Sequence, residues 1–349
     1  MLKALSLVVC VLAAATASAD TIHVPADHPS IQAAIDAASP GDEIVIAAGT
    51  YAVAAPHALL PGGLTFRGVG DVVLTGSTDA YFDVTAPQNL DRFRFENLRF
   101  VGNPVAIRTP TPVNPFPETR LEVDGCTFED NAIGIDARNT GQFWLTNSRF
   151  EGGTVCVDLR FAWPFIQNCV FVGARNAIFS QEGQADRLID HCLFVDCYGF
   201  YGAVSAEADG EFLINQCTFD GCGSVDGAAV SSRLGATVVM DACIVVGGPG
   251  LAFGCVAGLP NSFVITCSDL WNNAGGDWHD CGYGGPTENG NLSADPLFCA
   301  PDQGDYGLRT DSPCAPAGNA CDLLIGAYDV GCETTATESR SWGAVKSLY

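Results

Sequence analysis

Carboxylate and guanidinium groups recur at one place in a repeating segment of this chain. The segment reads Ala-Ile-Gly-Ile-Asp at 132–136, Thr-Val-Cys-Val-Asp at 154–158 and Ala-Ile-Phe-Ser-Gln at 177–181. It returns as Ala-Val-Ser-Ala-Glu at 203–207 and Ala-Val-Ser-Ser-Arg at 229–233. Three residues past its first Ile or Val stand Asp136, Asp158, Gln181, Glu207 and Arg233. Arg108 fits the same place one repeat earlier, and Arg138 and Arg160 lie two residues further on. If each segment is a strand, these side chains form one outward column of acids edged by arginines. Carboxylates one repeat apart would hold Ca²⁺, which takes only oxygen ligands. An arginine beside them would draw off an α-proton or bind a sugar acid, the chemistry of uronate β-elimination. The catalytic candidates are therefore Asp136, Asp158, Arg160 and Glu207, with Asp136 and Asp158 as the metal candidates. Arg108, Arg138 and Arg233 are the ligand-binding ones. The competing explanation is a solvated face whose charges keep the sheet from aggregating.

The elements that carry this column are set by a second recurring phrase. It reads Val-Asp-Gly-Cys-Thr-Phe at 123–128, Ile-Gln-Asn-Cys-Val-Phe at 166–171, Ile-Asp-His-Cys-Leu-Phe at 189–194 and Ile-Asn-Gln-Cys-Thr-Phe at 214–219. Weaker copies put Leu98, Ser148, Cys243 and Cys267 in the Cys slot. Successive slots lie 21 to 28 residues apart, a period that marks a solenoid. A continuous strand would send the apolar residue and the Cys to opposite faces. A bend at the Asn, His or Gln between them turns the apolar residue, the Cys and the Phe all inward. Successive coils then pair in parallel, about 4.8 Å apart, and like residues stack. Each coil holds about three short strands, and each buries its apolar face only against its neighbours, as in a parallel β-helix.

Both ends of such a stack need caps. At the start, 29–38 is amphipathic. Ile31, Ala34, Ile35 and Ala38 share a face, and Pro29 or Ser30 gives a start signal. At the end, 267–332 has few apolar runs and holds Cys267, Cys281, Cys299, Cys314, Cys321 and Cys332. It reads as an irregular disulfide-stapled cap. Sequence neighbours Cys267–Cys281, Cys299–Cys314 and Cys321–Cys332 are the expected pairs, with connectivity open. Residues 333–349 read as a polar tail that is disordered or part of a surface-anchoring signal.

Residues 21–51 resemble the opening of secreted right-handed parallel β-helix proteins of the pectin lyase-like superfamily. There this stretch forms a capping helix and the first coil. Asp295-Pro-Leu-Phe, Gly304-Asp-Tyr-Gly-Leu, Ser312-Pro-Cys and Ile325-Gly-Ala-Tyr resemble the ending of bacterial β-helix repeat proteins. The resemblance spans 20–332. It implies an all-β, right-handed parallel β-helix of about 9–10 coils, with an N-terminal capping helix. It says little about activity, because the scaffold hosts many functions. The Asn-Thr-Asp, Asp-Asp, Gly-His-Gly and Arg-Ile-Lys strings of polygalacturonase-like enzymes do not occur. Leu188-Ile189-Asp190-His191 is similar to the Trp-Ile-Asp-His of pectate lyases. It falls on the repeat phrase itself, so His191 reads as a turn residue.

Lys and Arg total 16 against 40 Asp and Glu, a net charge of −24. So acidic a surface argues against nucleic acid and anionic lipid as partners. Residues 1–19 read as a signal peptide: Lys3, an apolar run over 4–15, then Ala17-Ser18-Ala19 before a cut ahead of Asp20. The run is too short to span a membrane, and no transmembrane segment is expected after cleavage. Export permits disulfides. Cys10 lies in the leader, so an odd number of the sixteen cysteines remains and at least one thiol stays free.

The phenylalanine column reads as core. Trp144, Trp163, Trp271 and Trp278 lie off it. The Gly-rich loop from Trp271 to Trp278 makes those two further ligand-binding candidates, since loops on rigid scaffolds often carry function. Two functions follow. One is a secreted or cell-surface monomer without catalysis, binding carbohydrate or a surface partner along a flat face. The other is a polysaccharide lyase, with pectate lyase-like β-elimination assisted by Ca²⁺, or another carbohydrate-active enzyme.

Overall fold

The computed structural model describes residues 19–332, apart from 60–61, 85–91, 110–119, 139, 182–186, 200, 208–210, 256–261, 280 and 284. The proposed leader cleavage signal and the tail 333–349 lie outside the described residues. The chain is a parallel β-solenoid of about 11 turns. The count exceeds the number of phrase copies because the first coils, Thr21–Val24 and Glu43–Ala52, pair in parallel without carrying the phrase.

One coil shows the plan. Strand Gln142–Thr146 meets strand Arg149–Glu151 at a sharp turn, and Val155–Arg160 follows after a second. The next coil repeats it as Trp163–Gln167, Val170–Val172 and Asn176–Gln181. The first two strands of each coil belong to one continuous sheet, and the third strands form a nine-stranded sheet.

The sharp turn sits where the polar slot predicts. Asn97, Asn147, Asn168, His191 and Gln216 all have φ between 45° and 54°. Asn tolerates this left-handed region and Gly is at ease in it, and Gly125 fills the slot at φ 62°. The slot that follows is buried in Cys126, Ser148, Cys169, Cys192, Cys217 and Cys243. Its side chain donates to the carbonyl two residues back. Cys169 reaches Gln167 O at 3.3 Å, Cys192 reaches Asp190 O at 3.3 Å, and Ser148 Oγ reaches Thr146 O at 2.8 Å. Cys and Ser are both small and carry one donor, which explains why Ser replaces Cys there, whereas Leu98 fills the same slot without a donor.

The last copy of the phrase is displaced by one. Cys267 has φ 47°, Met240 pairs with Ile265 and Val245 with Leu270. Ser268 therefore holds the Cys slot, and its Oγ donates to Thr266 O at 2.8 Å. Cys267 is the turn residue and is half-buried rather than inward.

The core runs the length of the solenoid. Phe100, Phe128, Phe150, Phe171, Phe194 and Phe219 stack face to face with centroids 4.4 to 5.0 Å apart. In another inward row, Arg187 pairs with Phe212 and its guanidinium lies 4.4 Å over that ring. Helix α1 (Ile31–Ala37) starts at Ser30, whose hydroxyl accepts from Ala33 N, and it buries Ile31, Ala34 and Ile35.

The C-terminal segment departs from the expected pairing. The disulfides are Cys255–Cys281, Cys267–Cys321 and Cys299–Cys332, and Cys314 is a buried free thiol. Cys255 ends a strand of the nine-stranded sheet, and Cys281 lies 26 residues on, close to one coil period. Cys267, displaced to the turn, points away from the core and meets Cys321. Cys299 and Cys332 belong to a small three-stranded sheet. Cys192, Cys197, Cys217 and Cys222 stay unpaired, although their spacing would allow pairing.

The segment after 290 also does more than close an end, for it lies along the solenoid's flank. Leu308, Cys314 and Ile325 pack with Ile244 and Val246 in a second core. Gly326 N donates to Ala242 O at 2.7 Å, and Tyr306 Oη to Asp220 Oδ2 at 2.9 Å. A side chain at Gly326 would meet Ile244 Cδ1 at 2.6 Å, and its φ is 98°, so glycine is required there.

Candidate functional site

The predicted acid–arginine column splits into two. Asp136 pairs with Arg108 on one side and Asp158 on the other, but Asp158 pairs with Phe179. Gln181 instead aligns with Arg160, and Glu207 with Arg233. The inward residues are Ile135 and Val157 in these coils, one alternation later than Ile133 and Val155, and they align with Ile178 and Val204. The acids still face outward, because a shift of two keeps the face. They do not form a single row.

Most of these groups are already engaged. Arg138 grips both oxygens of Asp136, and its Nε lies 3.8 Å from Asp158 Oδ2. Arg108 holds Asp79 at 2.6 and 3.1 Å. Arg233 is paired with Glu207 and lies 4.1 Å over the Tyr201 ring, and Arg160 donates to Gln181. Asp136 and Glu207 are buried. Burial pushes the Asp158 carboxyl up, and the Asp136 charge adds to this. Burial likewise raises Glu207. Asp158 Oδ1 has no hydrogen-bond partner among the described residues.

Asp136 and Asp158 do not fit Ca²⁺ well. One is neutralised by Arg138, and no group of three or more metal-ligating side chains occurs among the described residues. Ca²⁺ takes six to eight oxygens.

His191 is a turn residue, as its slot implies. Its Nδ1 lies 2.9 Å from Asp190 Oδ1. Asp190 also accepts from Gln167 at 2.8 Å and from Asn215 at 2.7 Å. Burial would raise this carboxyl, yet the bonds from Asn215, His191 and Gln167 hold it below its ordinary value. Asp190 ties three coils together.

The tryptophans part company. Trp278 packs on the core, edge-on to Phe253 with centroids 6.3 Å apart. Trp271 is half-buried on the outward face.

The first strand of each coil carries a feature that residue types alone had not placed. Its outward row runs Arg94, Glu122, Trp144, Phe165, Leu188, Leu213 and Val239 across successive coils. Trp144 and Phe165 are half-buried, and Trp163, two residues from Phe165 on the same face, is 58% exposed. A shallow hollow of about 310 Å³ opens beside Trp144, walled by Arg94, Glu122, Asp124 and Thr146. Asp124 Oδ1 accepts from Thr146 at 2.6 Å and Asn147 at 2.7 Å, which fixes its carboxylate at the rim. The signal was present in the sequence. Trp144 and Phe165 each sit between two inward apolar residues, a place where polar residues are the rule.

The family described as "right handed beta helix region" matches residues 95–241. The described strands of that segment are coils of the parallel β-solenoid. That segment holds Trp144, Trp163 and Phe165 and all of the acid–arginine candidates. No curated protein matches the sequence significantly. Among solved structures, the β-helix is similar to the catalytic domain of a GH87 α-1,3-glucanase in complex with tetrasaccharides. The two share 12% identity at a TM-score of 0.44, over 73% of this chain and 59% of that one. The chain thus spans less than two thirds of that structure.

Proposed function

We propose that this β-helix is a secreted or cell-surface carbohydrate-binding module, taking a neutral polysaccharide on the outward face of its first strands. The observation that carries this is the row of Trp144 and Phe165 with Trp163 at its edge. Aromatic faces stack on the C–H faces of sugar rings and bury apolar area. Arg94, Glu122, Asp124 and Thr146 supply donors and acceptors for hydroxyls around them. The net charge of −24 disfavours polyanions. Three disulfides suit an oxidising compartment. No described helix is long and apolar enough to cross a membrane.

The test is affinity electrophoresis of the full chain through gels holding neutral or acidic polysaccharides. Retardation by at least one neutral polymer is expected. Trp144→Ala with Trp163→Ala should weaken it tenfold or more, about 1.4 kcal/mol. Equal retardation of both proteins, or preference for polyanions, would refute the platform.

A second reading rests on Asp158, whose raised carboxyl and unpartnered oxygen suit proton transfer. It makes the protein a polysaccharide lyase. An absorbance screen for unsaturated uronate products, with and without Ca²⁺, tests it. Activity abolished by Asp158→Ala would support catalysis; no product with any acidic polymer would end it.

A further inference from the structure

A second hollow lies where the C-terminal cap meets the solenoid, remote in sequence from the Trp144 platform. Its volume is about 410 Å³, within the roughly 300–1,000 Å³ of small-molecule sites. One wall comes from successive coils, where Asp220 and Trp271 stand two rungs apart in the same outward row. The cap supplies Asp295, Leu297, Phe298 and Arg309.

These groups are held in place. Tyr306 Oη donates to Asp220 Oδ2 at 2.9 Å, and the Phe298 ring stands edge-on to Tyr306 at 5.2 Å. Asp295 Oδ1 accepts from Leu297 N at 3.0 Å. Arg309 gives Nε and Nη2 to Asp311 at 3.0 and 2.8 Å, so Nη1 is not used by that carboxylate. Leu297 has φ 54°, a left-handed conformation costly for a branched apolar side chain. Such strain gathers at binding sites.

The chemistry of the walls selects among ligands. Trp271 and Phe298 offer apolar faces. Asp220 and Asp295 accept hydroxyl protons, and Arg309, already balanced by Asp311, offers an N–H. The net charge of the lining is acidic, which repels anions.

We propose that this hollow binds the end of a neutral glycan, a mono- or disaccharide unit. The sugar stacks on Trp271, donates hydroxyls to Asp220 and Asp295, and accepts from Arg309. The cap is then half of a binding site as well as a closure.

The experiment titrates the full chain with glucose, galactose, mannose, cellobiose, maltose and glucuronate, by calorimetry and by saturation-transfer NMR. At least one neutral probe should bind, and Trp271→Ala should lower its affinity tenfold or more while thermal melting stays intact. Trp271→Phe should restore most of it. Asp220→Asn should weaken binding less. The Trp144→Ala/Trp163→Ala chain should bind the small sugar as the native protein does, which separates this site from the platform. The proposal is overturned if no neutral probe binds at millimolar concentration. It is equally overturned if binding is untouched by Trp271→Ala, or if glucuronate binds better than glucose.

Discussion

At the first turn of the coils from Cys126 to Ser268, a left-handed residue is followed by a side chain that donates to the carbonyl two residues back. Where that side chain is Cys it is buried and inert. Burial pushes the Cys126 and Cys243 thiols up to about 12, far from the range of a reactive thiolate. Just past the displaced turn stands Asp269, the first residue of the strand Asp269–Trp271. Asp269 is fully buried, accepts from Ala294 N at 3.0 Å and lies 3.1 Å from the Cys314 sulfur. Burial pushes its carboxyl up to about 6. An acid raised in the folded state favours folding at low pH, and that contribution fades as pH rises from about 3.8 through about 6. Asp269→Asn keeps an acceptor for Ala294 and removes the charge. Its thermal melting should match the native protein near pH 4. Above pH 7 the variant should be the more stable, by on the order of 2–3 kcal/mol at most. Equal melting curves across the range would show that Asp269 is ionised at little cost.

Among the elements, the cap shows how an outward row becomes an inward one. Along the second strands the outward row reads Arg99, Thr127, Arg149, Val170, Leu193, Thr218, Ile244 and Asp269. Leu193, Thr218, Ile244 and Asp269 of this row are buried, and the segment after 290 touches the last three. That segment is poor in regular structure, with the short strands Phe298–Ala300, Asp305–Arg309 and Val330–Cys332 and two single-turn 3-10 helices, Pro301–Gln303 and Pro316–Gly318. Its attachment therefore depends on Leu308, Ile325 and the Cys267–Cys321 disulfide, which spans 54 residues. Replacing both Cys267 and Cys321 by Ser should cost about 2–4 kcal/mol of cap docking. Limited proteolysis should then cut within 290–332 several-fold faster while the β-helix coils stay protected. If the coils are cut at the same accelerated rate, the disulfide supports the whole fold rather than the cap.

In the molecule as a whole, each coil touches only its neighbours, and stability is built along one axis. The nine free cysteines among the described residues are all buried, and eight of them lie between 126 and 243. Their labelling by an alkylating reagent should therefore follow unfolding measured by circular dichroism, with no thiol reacting in the native protein. Ready labelling under native conditions would contradict their inward placement. How much of this could be read from the chain follows from range. The phrase with Asn, His or Gln before Cys is local chemistry: a left-handed turn, a small donor and a flanking apolar residue. Its period of 21 to 28 residues was enough to establish parallel coils and the Phe stack, and the amphipathic pattern of 29–38 gave the capping helix at Ile31. Register between coils was not local. Pairing between coils put Ile135 and Val157 in the inward row with Ile178, and so divided the acids and arginines into two columns. Disulfide partners were equally out of reach, because Cys255 and Cys281 meet only once the coil has closed between them. The sequence by itself determined the repeating coil, since neighbouring residues dictate each turn. Only the tertiary structure decided which outward side chains share a surface. Trp144 lies beside Arg94 and Trp271 faces Arg309 because coil register and cap docking put them there, across tens of residues whose spacing carries no local signal.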